Sequence, residues 1–498
     1  MKLNTSIPGA YLGDGVPVPS PGACQTPGGR RRMMLMIVAA LLLRSMAPAS
    51  AQLKPGPLAE NRSPELAADT SSTNPLSGQS DFLLTTGKSY NRVEGLPIAF
   101  GPRIRTEGAN PFRLEALAVY RTESGAKLDP DEMGYFVRAD KYLGGSGAFR
   151  VGAQLYSVID PIEEWQLTDL ETGLSTFVLH RDQRDHFERS GWGLTAGWQP
   201  VELPVVMSLE SRWESHASRA TGAPWSLFRN ADPWRAQPLV GEGDIRSIVA
   251  QATLDTRVNN WNPAGGWLVS ARFENAFHVD LASPAVVPFD PDADVVLPEA
   301  PEYSRVVHGL IDARSYHRIN PGSRLNLRVV AGGSLNGDPL PPQWQHALGG
   351  EGSLPGYRHF SQDCGARSVL VTTPGQVGTL EAIPSYPAYG CDAFGLLQAE
   401  IRGKLNLRLL WDGGPWNGHS PDGEDTEGSA ALSWASSPDW AVFVDAGRGW
   451  SYQTDRPDED TRVDVGVGVL LERFGVYLAV PVTGGSGVNL FVRLGPRF

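Results

Sequence analysis

A strict alternation of apolar and polar residues ends the sequence and limits how this segment can fold. In residues 487–498 it gives an extended strand two unlike faces, an apolar one with Leu490, Val492, Leu494 and Phe498 and a polar one with Asn489, Arg493 and Arg497. Such a strand separates apolar surroundings from water or polar groups. The pattern is typical of a wall strand in a transmembrane barrel. The edge strand of a soluble sandwich is the alternative.

The same alternation recurs from Tyr90 onward, in strands separated by turns rich in Gly, Pro, Asp and Asn. In residues 396–407 and 462–469, for example, Leu, Ile or Val alternates with charged residues, amides or Gly. The polar faces carry charges of both signs, so strands that closed on themselves would enclose a wet, ion-paired lumen. No amphipathic helix of convincing length intervenes.

Strand number and loop length refine this prediction. We count about fifteen candidate strands in residues 90–498, and bacterial single-chain barrels usually have an even number. We therefore predict an all-β fold, a transmembrane antiparallel β-barrel of 16 strands, with the unresolved strand in 81–90 or 173–180. Tight turns such as Asn262–Gly266 contrast with long loops at 158–188, 216–243, 279–302, 336–392 and 411–428. Short turns at one end and long loops at the other fit a barrel.

The first 51 residues are typical of a leader. Arg30–Arg32 precede eleven apolar residues, Met33–Leu43, and Ala49–Ala51 matches a small-residue cleavage site. The apolar run is too short to span a bilayer as a helix, which takes about 20 residues. We predict a signal peptide at about 30–51, export, and a location in the bacterial outer membrane.

Residues 52–89 are rich in Pro, Ser, Thr and Asn and predict a flexible periplasmic linker before a barrel of residues 90–498. The net charge of −12 offers no basic patch for phosphates, so no nucleic-acid partner is expected. Beyond the leader the chain has two cysteines, Cys364 and Cys391, which in an exported protein predict one disulfide. Two unpaired thiols are the alternative.

Five stretches in order resemble the barrel of the bacterial surface antigen superfamily, which includes the outer-membrane insertase of the BAM complex, its TAM relative and the two-partner secretion pores. They are Tyr90–Leu96, similar to the opening strand; Asp255–Gly266, similar to a hairpin of Asp-x-Arg and Pro-x-x-Gly; Leu348–Gly350 with Leu354–Tyr357, similar to the lid-loop motif; Val442–Gly447, similar to a late strand with Phe-x-Asp; and Phe498, similar to the C-terminal insertion signal.

The resemblance implies a long lid loop folded back into the lumen, with its arginine paired to inward acids. The matching acids are Glu400 and Asp445, and the motif here reads Leu354, Pro355, Gly356, Tyr357 and Arg358. Pro355 stands where the family has arginine, and proline carries no charge and donates no hydrogen bond. We predict that Arg358 supplies the guanidinium instead. The alternative is a solvated Arg358 with the loop held by the disulfide and by packing.

Catalytic constellations are missing from the sequence. No Gly-x-Ser-x-Gly occurs, and the nine His show no metal-ligand spacing, so we predict no enzyme activity, no cofactor and no bound metal. A barrel phospholipase would need a Ser/His pair, for which Ser270 and His278 offer only the residue types. His308 near Asp312 indicates a hydrogen bond in the lumen rather than an acid–base pair.

Two functions remain open. The resemblance favours a barrel that helps insert or translocate other proteins by strand addition between its first and last strands. A passive pore, lipid organiser or surface structure is the alternative. The family's periplasmic POTRA domains cannot fit within residues 52–89, because a compact domain needs at least about 50 residues. Expected partners are therefore outer-membrane lipid, other outer-membrane proteins as clients, and separate periplasmic chains.

Overall fold

The computed structural model describes most of the chain from Gly78 onward. The described residues are 78–86, 88–124, 133–144, 147–259, 263–282, 294–296, 303–364, 368–372, 380–384, 389–405, 438–452, 460–471 and 474–498. The predicted leader at 1–51 and the first part of the predicted linker, residues 52–77, lie outside them.

Sixteen strands form one antiparallel sheet in which every strand neighbours the next one of the set. The strands are β1 (Gly78–Thr85), β2 (Pro97–Thr106), β3 (Phe112–Arg121), β4 (Gly134–Leu143), β5 (Phe149–Pro161), β6 (His186–Trp198), β7 (Val205–Ala217), β8 (Glu242–Asp255), β9 (Gly266–Ala282), β11 (Val306–Asn320), β12 (Ser323–Ser334), β15 (Ala393–Lys404), β16 (Asp439–Trp450), β17 (Arg462–Leu471), β18 (Phe474–Pro481) and β19 (Asn489–Arg493). The 16-stranded antiparallel β-barrel that the sequence predicts is confirmed.

Shorter elements lie in the connections between these strands. A second sheet contains β10 (Asp294–Val296), β13 (Ser368–Thr372) and β14 (Leu380–Pro384). In the part of the chain that the structure describes, an α-helix, α1, covers Asp169–Leu179, and 3-10 turns cover Thr122–Ser124 and Pro342–Trp344. Among the described residues no helix is both long enough and apolar enough to cross a membrane.

The strand walls are apolar outside and charged inside. Along β15 and β17 the outward Leu397 and Val467 are each 52% exposed, whereas the inward Glu400 is 1% exposed and Asp464 is fully buried. This distribution is the reverse of a soluble sandwich, which buries its apolar faces between two sheets. It is the distribution of a transmembrane barrel, whose outer band is apolar and whose interior is polar.

Connections alternate between the two ends of the barrel because neighbouring strands are antiparallel. At one end, the loop end, residues 162–185, 218–241, 283–305 and 335–392 connect strands. At the other, the turn end, connections such as 107–111, 199–204 and 321–322 are short. Four of the five predicted long loops thus share one end. The fifth prediction, 411–428, falls within the β15–β16 connection, which starts and finishes at the turn end.

Two sequence predictions about the early elements are wrong. β1 lies inside the predicted linker, so the barrel begins before residue 90; its partner along its whole length is β2. Tyr90–Leu96 is not the opening strand but part of the β1–β2 connection, closed by a bridge between Asn91 and Gly95. Of the two places predicted for the sixteenth strand, 81–90 overlaps β1, whereas 173–180 holds part of α1. The cause is local: Thr168 and Glu171 form a capping box that starts the helix.

The two end strands of the sheet are β1 and β19. Among the described residues, no registered pairing joins them to each other; β1 is paired with β2, and β19 is paired with β18. β19 is also short, with five residues, whereas β5 and β6 have 13 each. We call the space between β1 and β19 the seam.

Candidate functional site

The connection between β12 and β15 folds back into the barrel, and we call its residues 335–364 the lid loop. Leu348 and Leu354 are fully buried in a cluster with Val330, Tyr357, Phe394 and Leu396 from the lid and the strands. Where the loop returns to the wall, a disulfide joins Cys364 and Cys391, whose Cα atoms are 5.1 Å apart. The backbone of His346 also pairs with Cys391. The lid loop is therefore packed at its tip and covalently fixed at its base.

The lid tip, residues 353–357, is held largely through its backbone. The Gly356 N–H donates to Asp464 Oδ2 at 2.8 Å, and the Asn489 side chain donates to the carbonyls of Pro355 and Gly356 at 3.1 and 2.8 Å. Gln398 donates to the Ser353 carbonyl at 2.8 Å. These bonds attach the tip to β15, β17 and β19 at once.

Two motif residues explain the close docking of the tip. A Cβ at Gly356 would lie 2.5 Å from the Asp464 Cβ and 3.0 Å from the Pro481 nitrogen, so only glycine fits against this wall. The Tyr357 hydroxyl donates to the Val463 carbonyl at 2.9 Å and also bonds to Thr483. The predicted lid-loop motif thus lies inside the lumen, against β17 and the residues that follow β18.

The predicted pairing of Arg358 with the lumen acids is not formed. Arg358 is exposed to solvent, whereas Glu400 and Asp445 are buried. Among the described residues the cation beside both carboxylates is Arg497, which pairs with Asp445 Oδ2 and lies 4.0 Å from Glu400 Oε2. Arg402 also pairs with Glu400, at 2.6 Å. Both acids are buried, and the cation that they share comes from beyond β19.

A second loop, residues 162–185, enters the lumen and packs on the lid. The Trp165 ring stacks on Phe394 with centroids 5.0 Å apart, and the Trp165 carbonyl accepts from Arg328 at 2.9 Å. Gln166 donates to the Ala347 carbonyl of the lid at 2.7 Å. Nothing in the sequence predicts this inward loop, because Trp165 and Gln166 show no periodicity that distinguishes them from a solvated loop.

Helix α1, which lies within this loop, contacts the last strand, β19. Arg493 of β19 donates to both carboxylate oxygens of Glu171, at 2.7 and 3.2 Å, and to the Glu351 carbonyl of the lid at 3.3 Å. Burial opposes ionisation of Glu171, but the Arg493 guanidinium and the backbone N–H groups of Thr168 and Leu494 lower its pKa to about 2. Glu171 is therefore a buried, ionised anchor between α1 and β19.

A charged network closes the loop end around Arg92, which is fully buried. Arg92 pairs with Asp182 at 3.2 Å and with Asp185 at 2.5 Å. Arg235 pairs with Asp185 at 2.7 Å, and the Tyr389 hydroxyl donates to Asp185 at 2.6 Å. Burial raises the pKa of Asp185, but Arg235 and Arg92 outweigh it and hold that pKa below its usual value. Four separate connections meet here: those that follow β1, β5, β7 and β12.

The residues considered for catalysis are not arranged for it. Ser270 and His278 lie eight positions apart on β9, which places them roughly 26 Å apart along an extended strand. The carboxylate beside His308 is Glu274, at 3.5 Å, while Asp312 pairs with Arg314 and Arg328. In the part of the chain that the structure describes, no three His, Cys, Asp or Glu side chains are placed to hold a metal ion.

Phe498 is buried, at 5% exposure, and lies beside Arg497 rather than on the outer surface. The predicted insertion signal therefore points into the barrel in the folded chain. The alternation of residues 487–498 would place Phe498 on the apolar face of a continuous strand. The strand does not continue that far, because the backbone turns away at Gly495 and Pro496.

Comparisons of sequence give no relative: no family profile matches the chain, and no curated protein matches it. Solved structures do resemble it. The crystal structure of BamA from Haemophilus ducreyi lacking POTRA domains 1-3 is 11% identical with a TM-score of 0.44, covering 83% of this chain and 68% of that one. CdiB from Escherichia coli is 10% identical with a TM-score of 0.34, covering 84% and 61%. CdiB from Acinetobacter baumannii is 9% identical with a TM-score of 0.33, covering 83% and 58%.

Proposed function

We propose that this chain is an outer-membrane barrel of the surface antigen superfamily that assists the insertion or translocation of other proteins. Its working part would be the seam, where the free edges of β1 and β19 accept an incoming strand by backbone hydrogen bonding. The proposed role is non-enzymatic. The clients would be other outer-membrane proteins, and periplasmic partners would join as separate chains.

One observation carries this proposal: the sheet ends in two strands that have no registered pairing with each other in the described residues. An unpaired strand edge in hydrocarbon leaves backbone N–H and C=O groups without partners, and each such group costs several kcal/mol, on the order of 2–7. A seam strand of five residues limits this cost and leaves an edge that a client strand can complete. The apolar outer band supports placement in the outer membrane.

A passive pore is the competing function. It requires a continuous water path through the lumen, whereas the lid tip and α1 both reach β19 inside the barrel. Trp165 and Arg328 also bridge the inward loop to β12. These contacts favour an assembly barrel with an occupied lumen over a conducting one. A lipid-organising or structural role differs from the proposed function, because it predicts that loss of this protein leaves the abundance of other outer-membrane barrels unchanged.

Depletion of the protein in its native cells tests the proposal. Outer-membrane barrels and lipoproteins would be quantified by mass spectrometry during depletion and after re-expression of the wild-type chain. We expect the abundance of a set of barrels to fall and then to recover, with lipoproteins as the unaffected control. Unchanged barrel abundance would contradict the assembly role, and loss of barrels and lipoproteins alike would indicate general damage to the membrane.

A further inference from the structure

Residues 494–498, which we call the β19 extension, turn away from the wall into the lumen. The turn follows from two residues: Gly495 has a φ of +136°, which favours glycine, and Pro496 has no N–H to give to a neighbouring strand. Beyond the turn Arg497 and Phe498 are 3% and 5% exposed. The extension is thus a buried part of the interior and not a continuation of β19.

The contacts of Arg497 are those of a cation that neutralises buried carboxylates. Its guanidinium pairs with Asp445 and lies 3.7 Å from the centre of the Phe443 ring, with Glu400 Oε2 at 4.0 Å. A buried carboxylate without a cation is strongly unfavourable, and an arginine fork satisfies it best. The lid has no arginine to offer, because Pro355 occupies the expected place and Arg358 faces solvent.

β19 has a short hydrogen-bonded ladder to the barrel wall, whereas its side chains make several bonds to elements in the lumen. Its ladder to β18 has only the five positions from Asn489 to Arg493. From the lumen, Asn489 bonds to the lid tip, and Arg493 bonds to Glu171 of α1 and to the Glu351 carbonyl. Arg493 also donates to the Arg497 carbonyl at 3.3 Å, which joins these contacts to the extension.

We propose that the β19 extension is a latch, in which Arg497 locks the seam strand to Asp445 and Glu400 in place of a lid-loop arginine. Asn489 of β19 bonds to the lid tip and Arg493 of β19 bonds to Glu351 of the lid loop, so release of the latch loosens the strand and the lid together. The latch itself follows from the contacts of the chain. Its use in controlling strand addition at the seam rests on the proposed function.

Hydrogen exchange of the full chain in outer-membrane vesicles, followed by mass spectrometry, tests the latch. In Arg497→Gln we expect amides of β19 and of the lid tip to exchange at least about tenfold faster, because one partner of a buried ion pair is lost. The matched control is Arg314→Gln, which removes a lumenal arginine from Asp312 on β11 and leaves Arg328 in place. The control should leave β19 unchanged.

A double variant separates the latch from simple charge compensation. Asp445→Asn combined with Arg497→Gln removes the Asp445 carboxylate together with its cation, so no buried charge is left unpaired at this position. The double variant can therefore be measured even if Arg497→Gln alone does not fold. We expect exchange in β16 to return to the wild-type rate while β19 remains fast. Wild-type exchange of β19 in the double variant, or equal acceleration of all strands in Arg497→Gln, would overturn the latch.

The same variants distinguish this inference from the proposed function. Fast exchange of β19 together with an unaltered set of outer-membrane barrels in cells that express the variant would retain the latch and contradict its use in controlling strand addition, while the depletion experiment separately tests the assembly role. Wild-type exchange of β19 in both variants would contradict the latch and leave the depletion experiment to decide the function.

Discussion

At the scale of single residues, the lid depends on one position that tolerates no side chain. Gly356→Ala would place a methyl group 2.5 Å from the Asp464 Cβ and near the backbone of Pro481. These neighbours are a Cβ atom and backbone atoms, which cannot move aside without a shift of the chain. We therefore expect the tip to leave its site. The measurement is hydrogen exchange of residues 348–358, which should accelerate by about tenfold or more.

Gly395→Ala is the control for this substitution. Gly395 lies on β15, and a Cβ added there would meet no atom within 4 Å. We expect wild-type exchange throughout the lid. Equal behaviour of the two variants would show that the tip is not held by close approach at Gly356.

The disulfide is the second residue-scale determinant of the lid. Replacing Cys364 and Cys391 with Ser removes a cross-link between positions 27 residues apart, with Cys391 fully buried. We expect a loss of about 2–4 kcal/mol in the free energy of unfolding, measured by urea denaturation of the detergent-solubilised barrel. Dithiothreitol should destabilise the wild type to the same degree and leave the Ser variant unchanged; a Ser variant as stable as the oxidised wild type would contradict this role.

At the scale of elements, α1 depends on an ionised anchor. The pKa of Glu171 in the folded chain is about 2, below its unfolded value near 4.5, so its contribution to stability is complete above that value and is lost as pH falls toward 2. Burial raises the pKa of Glu351, the nearby carboxyl of the lid. We expect α1 to detach from β19 between about pH 4.5 and pH 2, measured as faster exchange of residues 169–179.

Glu171→Gln is the matched test of this pH dependence. Glutamine keeps the size of the side chain and cannot ionise, so the exchange of α1 should be faster than in the wild type at neutral pH and should change little in that acid range. If the wild type and the variant lose α1 docking over the same pH range, a group other than Glu171 is responsible.

Strands with a long alternation of apolar and polar residues can be predicted from the sequence. Elements that are short or that lack such a pattern cannot be predicted in this way. The faces of β15 and β17 are those that the alternation of residues 396–407 and 462–469 predicts. The sequence leaves the place of β1 open between two segments, because Gly78–Thr85 is short and lies in a polar, proline-rich context. α1 could have been found, since Thr168 and Glu171 have the spacing of a capping box, but its 11 residues show no clear apolar stripe.

At the scale of the whole molecule, the interior is assembled from distant parts of the chain. The sequence identifies Glu400, Asp445 and the lid motif, because each lies in a stretch that resembles the family. It does not identify Arg497 as their cation, because the contact depends on the inward turn after β19 and on the position of β16 in the sheet. For the same reason Arg92, which neutralises Asp182 and Asp185 of a different connection, has no signature in the sequence.

In a transmembrane barrel the apolar faces of these strands lie in lipid and the charged faces line the lumen. Spin labels on cysteines introduced at Leu397 and Val467 test it in reconstituted vesicles, with Val258, which is 97% exposed at the turn end, as the aqueous reference. We expect labels at Leu397 and Val467 to collide with oxygen and to be shielded from a water-soluble nickel reagent, and the label at Val258 to show the reverse. Nickel collision at Leu397 and Val467 equal to that at Val258 would contradict the transmembrane barrel and every proposal that depends on it.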